Sequence, residues 1–243
     1  MPESNSVSKV DVSAELMSVA RQNRSSPKRW EKILDVTYSG LRSLGAGDIW
    51  VFGSQAMSLH LQKRPLASKD LDLIATGVST RMIEGVREML RPYSSGRIPD
   101  YRFQSTTYEG RPYPFYSVSI NDLVQGPFVI EIFETFRGYD VRRLTPYATF
   151  ISRWENTYQT LTVEGIIGTR MAFRRPQGID SFNAKRLNNF IKLVRKEVDW
   201  GKVNDFVRDF QLEEVILENL KDLHRRNIKI VDSEKLNLVK LSK

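Results

Sequence analysis

The stretch Val51-Phe52-Gly53-Ser54, the stretch Lys69-Asp70-Leu71-Asp72-Leu73 and the stretch Val129-Ile130-Glu131-Ile132-Phe133 together decide how this chain is read. In the first, an apolar strand-like run, Asp48-Ile49-Trp50-Val51-Phe52, breaks at Gly53-Ser54. A helical pattern with Ala56, Met57, Leu59 and Leu61 then follows. Glycine lets the backbone turn sharply and come close to a ligand. A hydroxyl and the open amides at a helix start can hold phosphate oxygens. In the second stretch, acid and apolar residues alternate as in a strand. Residues two apart on a strand share a face, so Asp70 and Asp72 point together while Leu71 and Leu73 face a core. Two adjacent carboxylates repel each other and favour a divalent cation that neutralises both. In the third stretch one acid, Glu131, sits inside an apolar strand. That is costly unless it binds a cation or meets solvent. Glu134 falls on the opposite face by alternation.

Each signal has a plain alternative: a common strand–glycine–helix junction, the acidic face of an edge strand, an edge-strand glutamate. Their conjunction is more specific. A phosphate-holding turn, a carboxylate pair and a third carboxylate from another strand are the parts that nucleotidyl transfer needs. Such a reaction uses two metal ions, one on the triphosphate and one on the attacking hydroxyl. It relies on positioning and charge neutralisation.

These residues resemble the DNA polymerase β-like nucleotidyltransferase superfamily, and the run from Gly53 to Ile74 looks most like its minimal and AbiEii-type branches. The resemblance covers residues 48–135. It implies an α/β (α+β) nucleotidyltransferase fold, with a mixed β-sheet flanked by helices and a C-terminal helical domain. It also implies two Mg²⁺ ions and an NTP such as ATP. By position, Gly53 and Ser54, with Arg64 and Lys69 from the intervening loop, would bind nucleotide. Asp70, Asp72 and Glu131 would be the catalytic metal ligands, with Glu131 also the base for the acceptor hydroxyl. Two departures stand out: fifteen residues (55–69) separate Ser54 from Asp70, and the third acid is glutamate where many members have aspartate. In the helical half, Arg170, Arg174, Lys185 and Arg186 resemble the basic residues that AbiEii-type members set against the phosphates, with Lys185 the foremost for nucleotide binding. A solvated basic helix face is the alternative for each.

Outward from these motifs, Ser26 and Pro27 open a helix with Trp30, Ile33, Leu34 and Leu41 at helical spacing, and Gly45 ends it. Val12 to Gln22 reads as a short helix, and Ser79 as the cap of a helix carrying Met82, Ile83, Val86 and Leu90. Strands are expected at Tyr101–Thr107, Phe115–Ile120 and Phe128–Phe136, separated by Gly/Pro turns. Beyond residue 150 helices are expected, over Val163–Arg174 and then about three from Ser181 to Arg226. The organisation this gives is an extension over 1–25, a nucleotidyltransferase domain over 26–155, a helical domain over 156–230 and a tail over 231–243. Trp30, Trp50 and Trp200 read as core residues, and Trp154 is the least committed.

The chain has 243 residues and a 40 % hydrophobic content, enough for a sizeable core. It has no cysteine, which excludes disulfides, thiolate metal sites and cysteine nucleophiles. His60 and His224 are its only histidines, so a His-rich zinc centre is not expected. No charged-then-apolar leader or eighteen-residue apolar run occurs, and a soluble, cytoplasmic protein with no membrane partner is expected. A net charge of +8 favours polyanionic partners. The expected activity is NMP transfer from NTP to a hydroxyl of RNA or tRNA, a protein (as in toxin–antitoxin systems) or a small molecule. The alternatives are an inactive fold that binds nucleotide or nucleic acid, and a basic nucleic-acid-binding protein with surface carboxylates.

Overall fold

Strand β1 (Ile49–Val51) is only three residues long, and all three are buried. A strand so apolar on both faces needs neighbours on both edges and layers above and below. Both edges are filled: β2 (Asp70–Ala75) runs antiparallel to it, and β7 (Asn156–Leu161) runs parallel. On the far side of β2 lie β5 (Gly126–Phe133), parallel to it, then β4 (Arg111–Asp122) and β3 (Asp100–Tyr108), each antiparallel to its neighbour. β6 (Ala148–Arg153) closes the other edge, giving one mixed seven-stranded sheet ordered β3-β4-β5-β2-β1-β7-β6. The computed structural model describes residues 27–61, 70–108, 110–123, 126–153, 156–173 and 181–238. The Val12–Gln22 helix, Arg64, Lys69, Trp154 and Arg174 of the sequence reading lie outside them.

Alternation along the strands divides the core in two. Leu71, Leu73, Ile130 and Ile132 point to one face, where they pack against Trp30, Ile33, Leu34 and Leu41 of α1 (Pro27–Ser43) and Ile83, Val86 and Leu90 of α3 (Thr80–Leu90). Burying each such side chain contributes about 1.5–3 kcal/mol. The Ser79 hydroxyl caps α3 by accepting from the Met82 amide, which satisfies one of the orphan donors of a helix start. On the opposite face Trp50 and Ile74 meet α2 (Gly53–His60), α4 (Val163–Met171) and α5 (Ser181–Val194). Behind them stand α6 (Trp200–Asp209) and α7 (Glu213–Arg225), whose Phe206 packs so closely that a Cβ on Gly168 would lie 2.6 Å from its ring. Trp30 and Trp50 are core residues as expected, and Trp200 packs half-buried at the core's edge.

The structure differs from the sequence expectation beyond residue 145. Helices begin at Val163 and Ser181 as expected, but β6 and β7 occupy residues 148–153 and 156–161, for which no strand was expected, and the sheet continues through Leu161. Asn156-Thr157-Tyr158-Gln159-Thr160-Leu161 is polar in composition, but tertiary pairing buries Tyr158, Thr160 and Leu161. Thr160 donates its hydroxyl to the Val51 carbonyl at 2.8 Å in the interior, so a polar residue serves a central strand because its hydrogen bond is satisfied. Among the described residues no helix is long and apolar enough to cross a membrane.

Candidate active site

The bend after β1 is built around one glycine. Phe52 is extended and donates its amide to the Asp72 carbonyl at 2.9 Å, carrying the β1–β2 pairing one step past the strand. Gly53 then takes φ +65°, and α2 begins. A Cβ on Gly53 would lie 2.0 Å from Asp72 Oδ2. The position therefore needs glycine twice over, for its left-handed backbone and for the carboxylate that rests on it. Gln55, fully buried in α2, donates its side-chain amide to the Asp70 carbonyl and ties the helix to the start of β2.

The carboxylates meet across the β2–β5 pairing. Asp72 stands level with Glu131 on adjacent parallel strands, and Ser117 of β4 stands level on Glu131's other side. Asp70 is level with Val129, one pleat toward the start of both strands, and is exposed. All three acids project from the face opposite Leu71, Leu73, Ile130 and Ile132. Their fields are felt nearby. Burial first, and Asp70 second, push the Glu131 carboxyl above its ordinary range. Burial, then Asp72, then Glu131 push the Tyr113 phenol up strongly, so that it stays a donor across the working pH range. Tyr113 also stacks on Phe133, ring centroids 4.9 Å apart.

The cationic side comes from α5. Arg186 donates from Nη1 to the Ser54 hydroxyl at 2.8 Å, joining residues 132 apart in sequence. Burial pulls its guanidinium below the ordinary value, and Asp70 opposes that. Lys185, the residue favoured on sequence, is exposed instead; its neighbour makes the contact with the bend.

A cavity of about 290 Å³ opens beside the acids, with Gly53, Asp72 and Glu131 in its wall. Tyr108, Tyr113 and Phe173 supply ring surface, and Arg137 and Arg170 are both buried in its lining. The Arg137 guanidinium lies 4.5 Å from the Tyr108 ring and donates to the Ala172 carbonyl at 3.1 Å. Arg170 donates to Asn183 Oδ1 at 2.6 Å, with its guanidinium 5.0 Å from the Phe173 ring. Arg170 was among the sequence candidates. Tyr108, Tyr113 and Arg137 were not, and the only trace of them in the sequence is the aromatic and basic character of Tyr108-Glu109-Gly110-Arg111-Pro112-Tyr113 and Phe136-Arg137-Gly138.

The expected three-acid cluster is thus resolved into a level pair, Asp72 and Glu131, with Asp70 one pleat away at the rim. Among the described residues no three acid or histidine side chains converge as a ready-made metal cage. The pair itself fits a hard divalent cation: its donors are all carboxylate oxygens, and the Glu131 anion, disfavoured first by burial and then by Asp70, gains from a neighbouring cation.

No family model matches the chain, and no curated protein matches it. Solved structures do. The antibiotic-resistance factor ANT(2'')-Ia matches in its solution structure with a TM-score of 0.50 at 14 % identity, over 81 % of this chain and 96 % of that one. A crystal structure of ANT(2'')-Ia with adenylyl-2''-tobramycin matches at 0.46 and 11 % identity, over 79 % and 97 %. An antigenic nucleotidyltransferase-like protein from Paracoccidioides brasiliensis matches at 0.42 and 16 % identity, over 85 % and 95 %. The likeness is one of fold: a mixed seven-stranded sheet flanked by helices, the α/β architecture expected from the sequence.

Proposed function

We propose that this chain is a metal-dependent nucleotidyltransferase that moves NMP from an NTP to a hydroxyl acceptor. The observation that carries the reading is the level pairing of Asp72 with Glu131 against the Gly53–Ser54 bend that Arg186 reaches. Carboxylates beside a helix N-terminus and an arginine form a binding site for a polyphosphate and its cations.

In this reading Ser54, the first amides of α2 and Arg186 bind the phosphates, with Arg186 replacing Lys185 in the role assigned from sequence. Asp72 and Glu131, with Asp70 at the rim, would hold Mg²⁺, which neutralises the triphosphate and lowers the pKa of the attacking hydroxyl. Glu131, whose carboxyl is already raised in pKa, takes the acceptor's proton as base. The acceptor oxygen forms a bond to the α-phosphorus, the bond from that phosphorus to the bridging oxygen breaks, and pyrophosphate leaves with the electron pair. The products are the NMP-modified acceptor, pyrophosphate and one proton. An antibiotic acceptor is suggested by the name of ANT(2'')-Ia. Two buried arginines in the adjoining cavity oppose that choice for a polycationic drug.

The test is incubation of the protein with each of four α-labelled NTPs, Mg²⁺ and an acceptor panel of total RNA, protein extract and tobramycin. Label should pass to one acceptor class and be lost in Asp70→Ala/Asp72→Ala and in chelator. A double variant that labels as well as the parent removes the site assignment.

A further inference from the structure

Beyond β4 the sheet ends on an exposed strand. β3 is nine residues long; Tyr101 and Tyr108 are partly buried, and every other residue in it is exposed, on both faces of the sheet. It stands last in the strand order, so among the described residues its outer edge has no partner. Tyr108 and Arg111 close the hairpin with β4 across a two-residue turn. Such a closing pair turns its N–H and C=O groups toward each other, and the direction alternates along the strand from there. Even-numbered residues of β3 therefore bond to β4, while Tyr101, Phe103, Ser105 and Thr107 turn their N–H and C=O groups outward. The Pro114 carbonyl, level with Ser105, accepts from the Glu134 amide at 3.2 Å on the side away from β3, as this alternation requires.

Monomeric proteins blunt such edges with lysine, proline or a bulge. β3 has none of these. Its register with β4 runs unbroken from Asp100 to Tyr108, and Phe103, Thr106, Thr107 and its two tyrosines all suit a strand. Arg102 is the one charge between its ends. Phe103 is 53 % exposed, although its ring lies 4.9 Å from that of Tyr116. β6, at the opposite end of the sheet, is shorter at six residues and ends in Arg153, which is drawn into an ion pair with Glu31 at 2.9 Å.

We propose that β3 is the contact surface for a second copy of this chain, the two β3 strands pairing antiparallel about a two-fold axis at Gln104. This register sets Phe103 opposite Ser105 of the other copy and Tyr101 opposite Thr107. Outward-facing groups then meet outward-facing groups, in on the order of eight hydrogen bonds, along ~30 Å of edge. Charge selects the register. About Gln104 the two Arg102 side chains stand ~14 Å apart along the strand, beyond the ~8 Å screening length of physiological salt. One step over, about Phe103, they would be diagonal neighbours at ~7–8 Å. In the Gln104 register it is the exposed Phe103 rings that become diagonal neighbours and cover each other. The contact uses up each β3 and so stops at two copies, whereas β3 on β6 would continue head to tail. On the carboxylate face, Asp100 of the second copy comes opposite Tyr108, a residue of the cavity wall, so the contact braces the end of β3 that shapes the cavity. One strand pair lies at the small end of specific interfaces, and a dissociation constant on the order of 10–100 µM is expected. The pairing is independent of any catalytic activity.

The experiment uses the full chain in physiological salt. Sedimentation velocity from ~2 to ~200 µM, a span suited to a small interface, should show a single monomer–dimer equilibrium. Ser105→Pro removes an outward N–H that the monomer leaves to solvent and should abolish the dimer. Ser105→Lys sets two ammonium groups diagonally across the axis and should weaken the dimer ten-fold or more; it serves if the proline variant lowers the melting midpoint. The chain has no cysteine, so single cysteines read the register by disulfide trapping. Gln104→Cys faces its own copy in a non-hydrogen-bonded pair, with ~4.5 Å between Cα atoms, within disulfide reach. Arg102→Cys, ~14 Å from its copy, is out of reach. Under mild oxidant Gln104→Cys should form a covalent dimer at least ten-fold faster than Arg102→Cys. A chain that stays monomeric at ~200 µM overturns the proposal, as does a dimer that Ser105→Lys leaves unchanged. Species that grow past the dimer with concentration, the mark of β3 on β6, overturn it too. So does trapping of Arg102→Cys as fast as Gln104→Cys.

Discussion

Glu131→Gln is expected to stabilise the metal-free protein at neutral pH. Neighbouring strands are ~4.8 Å apart, and Asp72 and Glu131 stand level on such neighbours. Burial first and the Asp70 carboxylate second disfavour the Glu131 anion, and two unit charges ~5 Å apart repel by ~3 kcal/mol at an effective dielectric of ~20. Both side chains are partly open to water, and screening of that kind leaves ~1 kcal/mol. The sign follows from Glu131's raised pKa. A carboxyl harder to ionise folded than unfolded contributes stability that is complete below its ordinary pKa. That stability is lost as pH rises through the folded value. Parent and variant should therefore melt together near pH 4 in chelator and separate as pH rises. At pH 7.5 the variant should melt higher by ~2–4 °C, for a chain of this size. Mg²⁺ at ten times its dissociation constant should add ~1.4 kcal/mol to the parent and less to the variant, closing or inverting the gap. Scanning calorimetry across pH, with and without Mg²⁺, reads all of this. A variant that melts at or below the parent at pH 7.5 in chelator refutes the electrostatic account. A gap that persists at pH 4 refutes it equally.

Three further outcomes follow from the geometry. Gly53→Ala forces a Cβ onto the Asp72 carboxylate; labelling should fall more than ~100-fold, and urea unfolding should show a loss of about 1–2 kcal/mol for the left-handed backbone. Arg186→Met should weaken NTP binding ~10-fold, or ~1.4 kcal/mol, while Lys185→Met stays within about two-fold in the same titration; equal losses would return the role to Lys185. Thr160→Val should cost ~1 kcal/mol in chemical denaturation by leaving the Val51 carbonyl without its hydroxyl donor, with no change in melting slope.

The core of the fold was legible because its signals are local. Alternation in Asp70-Leu71-Asp72-Leu73 and Val129-Ile130-Glu131-Ile132 fixes which face each residue takes, whatever the partner strands are. Glycine at position 53 reports a backbone need that no neighbour alters. The less legible parts depend on distant contacts. β7 is polar, and its burial comes from β1, more than a hundred residues earlier. Lys185 and Arg186 differ by one helical step of ~100°, and the apolar stripe of Leu187, Phe190 and Ile191 leaves Arg186 at its margin and Lys185 outside it. Tyr113 directly follows Glu109-Gly110-Arg111-Pro112, which reads as a turn, yet Arg111 and Pro112 already pair with β3 as strand. Arg137 follows β5 in a non-regular segment whose one sequence cue, Gly138, marks a turn packed against Arg111.

Because β1 draws one flanking strand from residues 70–75 and the other from residues 156–161, its environment cannot be completed early in synthesis. Closing so large a loop is entropically slow, and the Ser54–Arg186 contact must wait for a still later part of the polymer. A nascent chain released at residue 155 would present β1 with one open edge, a template for pairing with other molecules. Assembly of the half that carries the carboxylates is thereby coupled to emergence of the helices that follow it.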